Sequence, residues 1–158
     1  MHLTESLQID APPETVFAAI NDYGRRLEWD TLLRTAEVLS VDGHIVNCST
    51  PIVPGMRVRS YARWLAGGVV MDTRYVVCEF PVATIEMVAG PWFFHSFRAT
   101  SRVERTRDGG TKWSGEYDFQ CQPGWLRSVV EPIITWKFRR ETEMRVAGLK
   151  QWPEAKAE

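Results

Sequence analysis

The sequence has little cysteine and little histidine, and neither falls into a pattern that carries chemistry. Cys48, Cys78 and Cys121 form an odd, widely spaced set with no CxxC. They read as free thiols, with Cys78 and Cys121 buried inside strand-like runs. His2, His44 and His95 lack a ligand-like spacing, so no metal site is expected. GxSxG, the P-loop and the dinucleotide fingerprint are all missing, and no cofactor is expected. No run of ~18 apolar residues occurs, so no transmembrane segment is expected. The opening MHLTESLQIDAPPE lacks the basic region and apolar core of a secretion signal. Without such a signal the glycosylation pattern at Asn47-Cys48-Ser49 carries no weight, and free thiols point to the cytoplasm. A dominant charge is also missing. The formal net charge is −1 and Lys and Arg are scattered, so nucleic acid is not an expected partner.

What is present is aromatic. Seven tryptophans and seven phenylalanines are many for 158 residues, and such rings either fill a core or line a pocket. Hydrophobic residues at 44% and charged residues at 25% are ordinary for a soluble globular chain. The length suits one domain with a sizeable core, residues 1–152, followed by a disordered tail at 153–158.

Along the chain, Leu3, Glu5, Leu7 and Ile9 alternate with Thr4, Ser6, Gln8 and Asp10, which predicts a half-buried strand. Ala11-Pro12-Pro13 stops it. Pro13 and Glu14 suit the first turn of a helix carrying Val16, Phe17 and Ile20 on one side. A second short helix is predicted from Arg25 to Leu33. From Thr35 the pattern changes to period two. Strands are predicted over 35–41, 56–65, 69–80, 84–89, 93–105 and 112–121, with Gly- and Pro-containing turns such as Asp42-Gly43, Gly67-Gly68 and Asp108-Gly109-Gly110. The short gaps favour antiparallel neighbours.

Gly124 to Trp152 then reads as one long amphipathic helix, about 40 Å at ~1.5 Å per residue. Leu126, Val129, Val130, Ile133, Trp136 and Met144 fall on the predicted inward arc, and Ser128, Glu131, Thr135, Arg139 and Thr142 on the solvent arc. Pro132 is expected to kink the helix or mark a short first turn, and Gly148 reads equally as a place of close backbone approach or as a frayed helix end. The predicted fold is α+β: a seven-stranded antiparallel sheet, two short helices after the first strand, and a long C-terminal helix packed across the sheet. Curvature of the sheet would open a pocket between them.

The opening Ile9-Asp10-Ala11-Pro12-Pro13-Glu14-Thr15-Val16-Phe17, followed by Asp22 and Trp29, and the ending Met144-Arg145-Val146-Ala147-Gly148-Leu149-Lys150 resemble the START-like, or Bet v 1-like, superfamily. These are helix-grip proteins of the polyketide cyclase/dehydrase and lipid transport type. The resemblance spans nearly the whole chain. It implies a helix-grip fold with a hydrophobic cavity between sheet and C-terminal helix. It is unspecific for function, because such folds host carriers, cyclases, coenzyme Q binders and chaperone co-activators. No catalytic motif is shared, so no catalytic residue carries over.

Strand phase supplies the candidate lining: Val58, Met71, Tyr75, His95, Phe97, Tyr117 and Phe119, with Val129, Ile133, Trp136 and Arg140 from the helix and Trp29 at the mouth. Apolar walls with a few polar groups suit a small-molecule site. Each polar member also has a plain structural reading, His95 as a hydrogen-bonded core histidine and the tyrosines as core aromatics with backbone partners. Asp30 reads as a cap of the next turn. Three functions follow. The first is binding of a hydrophobic or aromatic, lipid- or polyketide-like small molecule. The second is a cyclase/aromatase-type enzyme in which His95, the one catalytic candidate, moves protons with Tyr75 or Tyr117. The third is a protein-interaction module with a filled core and an exposed patch around Trp92, Phe94 and Trp125, a surface that would also suit a homodimer.

Overall fold

The computed structural model describes residues 1–63 and 69–156, without the side chains of residues 126, 127, 129, 130, 138 and 153–156. Strand β1 (His2–Ile9) leads into helices α1 (Pro13–Asn21) and α2 (Tyr23–Trp29). Seven strands follow: β2 (Leu33–Leu39), β3 (Ile45–Val46), β4 (Arg57–Ala62), β5 (Val69–Glu79), β6 (Val82–Ala89), β7 (Phe94–Arg105) and β8 (Thr111–Cys121). After one 3-10 turn, α3 (Arg127–Lys156) closes the chain. No helix among the described residues is long and apolar enough to cross a membrane.

The strands form one antiparallel sheet in the order β1-β8-β7-β6-β5-β4-β2-β3. It has eight strands, not the expected seven. The extra one, β3, is two residues long and too short to show a period of two. The hairpin between β7 and β8 turns on Gly109, whose φ of 90° is a conformation that glycine adopts without a Cβ penalty.

Proline at the start of α1 and Glu14 in its first turn act as the sequence predicts. The second helix starts earlier than expected, at Tyr23. The reason is local: Asp22 ends α1 and its carboxylate accepts the Arg25 backbone N–H at 3.2 Å, capping α2. That helix ends at Trp29 because Leu33 already belongs to β2. Pro132 lies in the second turn of α3 without ending it, and the helix carries the expected tail from Pro153 as far as Lys156. The Gly67-Gly68 turn and Trp64 lie outside the described residues.

Helix α3 packs chiefly against α1, α2, β1 and β8. Its buried stripe is Ile134, Thr142 and Leu149, flanked by half-buried Glu141, Arg145 and Val146. This phase is rotated from the expected one. Thr142 is buried rather than solvated, while Ile133, Trp136 and Met144 are exposed. The helix therefore covers one side of the sheet from its β1–β8 end and leaves space above the middle strands.

Candidate functional site: a cavity under the long helix

That space is a cavity of about 190 Å³. Its floor comes from alternate residues of the central strands, including Met71 and Tyr75 of β5, Ile85 of β6, Phe97 and Ala99 of β7, and Tyr117 of β8. Its roof comes from Tyr23, Arg26 and Trp29 of α2 and from Glu141, Arg145, Val146 and Leu149 of α3. β8 places Tyr117 here because its alternation is unbroken: Trp113, Gly115, Tyr117, Phe119 and Cys121 all face inward.

Of the expected ligand-site residues, Trp29, Met71, Tyr75, Phe97 and Tyr117 line the cavity. Val58 and Phe119 are buried in the core clusters and lie outside the lining. His95 lies elsewhere. It is exposed, in a solvent-open groove with His2, Glu86, Arg98 and Asp118. The cause is a register shift between Phe94 and Ser96, which gives Phe94 the inward place and turns His95 out. Ile133 and Trp136 are 62% and 64% exposed, on the outer side of α3. Arg140 is also exposed, its guanidinium 5.8 Å from the Trp136 ring centre. The side chain of Val129 lies outside the described residues.

Most polar groups at the roof already have partners. Tyr75 Oη donates to Asn21 Oδ1 at 3.2 Å and lies 3.4 Å from the Tyr23 hydroxyl. Asn21 Nδ2 donates to the Phe17 carbonyl at 2.9 Å, and Trp29 Nε1 to the Ala19 carbonyl at 3.1 Å. At the floor, Trp113 Nε1 donates to Ser101 Oγ at 2.8 Å. Such a network holds the cavity walls in one arrangement.

Beside these groups lies an ion cluster that sequence reasoning assigned to no site. Asp30 Oδ2 is 3.1 Å from Arg26 Nε and 2.9 Å from Arg145 Nε, and none of the Asp30 side chain is exposed. Asp30 also caps the next turn, as expected, by accepting the Leu32 N–H at 3.2 Å. Burial alone would raise the Asp30 carboxyl, but the Arg145 and Arg26 charges prevail and hold it below its usual range. Burial pushes the Tyr75 hydroxyl well above the ordinary tyrosine value and raises Tyr117 as well. Near neutral pH the carboxylate is ionised and engaged, and both hydroxyls are protonated. The only signal for Arg26 and Arg145 was their place on the helices, four residues from Asp30 and one turn from Leu149. Without the true phase of α3 it could not be read.

The comparisons agree with this architecture. The family model described as polyketide cyclase / dehydrase and lipid transport matches residues 1–152. No curated protein matches the sequence. Among solved structures, a protein from Thermus thermophilus is similar over 100% of both chains, with a TM-score of 0.81 at 14% identity. The Zhui aromatase/cyclase from Streptomyces sp. R1128 is similar over 100% of this chain and 96% of its own, with a TM-score of 0.80 at 12% identity. A START superfamily protein from Mycobacterium smegmatis follows over 94% of this chain and 98% of its own, with a TM-score of 0.67 at 14% identity. These likenesses concern the fold. With the family model spanning the helix-grip domain from β1 to Trp152, the chain belongs to the polyketide cyclase / dehydrase and lipid transport family.

Proposed function

We propose that this protein binds a hydrophobic or aromatic small molecule in the cavity between sheet and α3. The observation that carries the reading is the cavity itself, walled mainly by Met71, Ile85, Phe97, Trp113 and Leu149, with few polar groups converging on it. Its volume of about 190 Å³ favours a compact ligand; drug-sized sites run from roughly 300 to 1,000 Å³. Free thiols at Cys48, Cys78 and Cys121 are consistent with a cytoplasmic carrier or sensor.

The cyclase/aromatase reading draws on the family and on the Zhui likeness. It is the weaker of the two for this chain, because His95 is outside the cavity and the buried Tyr75 and Tyr117 hydroxyls hold their protons. An interaction module with a filled core is disfavoured by the cavity, although Trp92 and Trp125 are strongly exposed.

Native mass spectrometry of protein purified from its source, repeated after denaturation, tests the proposal. A hydrophobic molecule held by the folded chain and released on denaturation is the expected result. The bare chain mass in both, with no uptake of added naphthalene-type probes, would count against it.

A further inference from the structure

We propose that the molecule taken by the cavity carries an acidic group, a carboxylate or an anion of similar size, which docks against Arg145. The inference rests on the cavity being a ligand site, and it adds the chemical class of the ligand's head.

Three cations and two carboxylates meet at this end of the cavity. Asp30 faces Arg26 and Arg145. Glu141 faces Lys137, 3.4 Å away and one turn earlier on α3, and it precedes Arg145 by another turn. Glu141 is thus paired with Lys137, while the single Asp30 carboxylate answers two guanidiniums, so these five groups carry one more positive than negative charge. An excess charge against apolar walls is costly unless an opposite charge joins it. Arg26 is held by its own helix, with Nε 3.1 Å from Asp30 and the guanidinium 5.3 Å from the Tyr23 ring centre. Arg145 is less fully engaged. Its Nε lies 2.9 Å from Asp30 Oδ2 and is shut off from solvent, which leaves the Nη groups of a side chain that is 26% exposed for a ligand to meet. Both guanidiniums belong to the cavity lining, as does Tyr117. The apolar floor would hold the ligand body, and Arg145 would receive its anion through charge-assisted hydrogen bonds.

The test compares two probes of one shape. Isothermal titration calorimetry at pH 7 is run with 2-naphthoate and with the neutral 2-naphthamide. The expected result is at least about ten-fold tighter binding of the naphthoate, the size of one charge-assisted hydrogen bond. Arg145→Met, which keeps a long apolar stem, is expected to abolish that preference, and Arg145→Lys to retain most of it. Equal affinity of the intact protein for both probes would overturn the inference while leaving the cavity reading intact, and this comparison needs no variant to fold. A preference that survives Arg145→Met would overturn it as well. Binding of neither probe would remove the cavity reading and this inference together.

Discussion

Gly148 lies so close to the Trp29 carbonyl that a β-carbon built on it would fall 2.5 Å from that oxygen. The neighbour is backbone and cannot swing aside. At an open helical position alanine gains about 1 kcal/mol over glycine. Here Gly148→Ala is expected to lose about 1–3 kcal/mol instead, as overpacked sites do. Urea denaturation measures the difference. A stabilised alanine variant would mean that α3 does not seat against α2 at this point.

Asp30 ties the same two helices together through charge. Asp30→Asn leaves two guanidiniums facing a neutral amide. The expected loss is about 3 kcal/mol at pH 7, at the low end for a broken buried pair, because Arg145 keeps 26% of its side chain in solvent. The pH dependence has a definite sign. The folded carboxyl is held below its unfolded value, so its contribution is complete above about pH 4 and fades as pH falls through the lower folded value. Denaturation curves of wild type and variant should converge on acidification. A gap that is unchanged in acid would refute the assignment.

Tyr75 and Tyr117 make the opposite prediction at high pH. Burial favours their protonated forms in the fold. The stability this gives is present below about pH 10, the unfolded value, and is lost as pH rises toward the folded values. In folded protein at about pH 10, Tyr117→Phe should leave the phenolate absorbance unchanged, and a difference should emerge only in denaturant. A drop in the folded signal would place that hydroxyl in solvent.

How much of this was legible in the sequence depended on how regular each element is. Strand β8 alternates without interruption, and its inward set was readable residue by residue. Strand β7 was readable from Phe97 onward, but the shift at Phe94–Ser96 sent His95 to solvent, and nothing in the order Trp92-Phe93-Phe94-His95 marks a bulge. A second shift between Tyr75 and Val77 likewise leaves Val77 exposed. Helix α3 misled for another reason. It carries apolar residues on more than one side, so Ile133, Trp136 and Met144 outweighed the true stripe of Ile134, Thr142 and Leu149. That phase error hid Arg145, and with it the charged end of the cavity. The close approach at Gly148 was half legible: a glycine late in a long helix reads equally as a close approach or as a frayed end, and only the Trp29 carbonyl decides between them.

The most direct test of the central claim is a calorimetric titration of 2-naphthamide into the intact protein and into Ala99→Phe. Ala99 lies on the cavity floor in the middle of β7, and a ring there would occupy the space assigned to the ligand. Single-site binding to the wild type is expected, weakened at least about ten-fold in Ala99→Phe, with a thermal midpoint close to that of the wild type because the ring enters existing space. Equal binding by a folded Ala99→Phe, or no binding by the wild type, would contradict the claim.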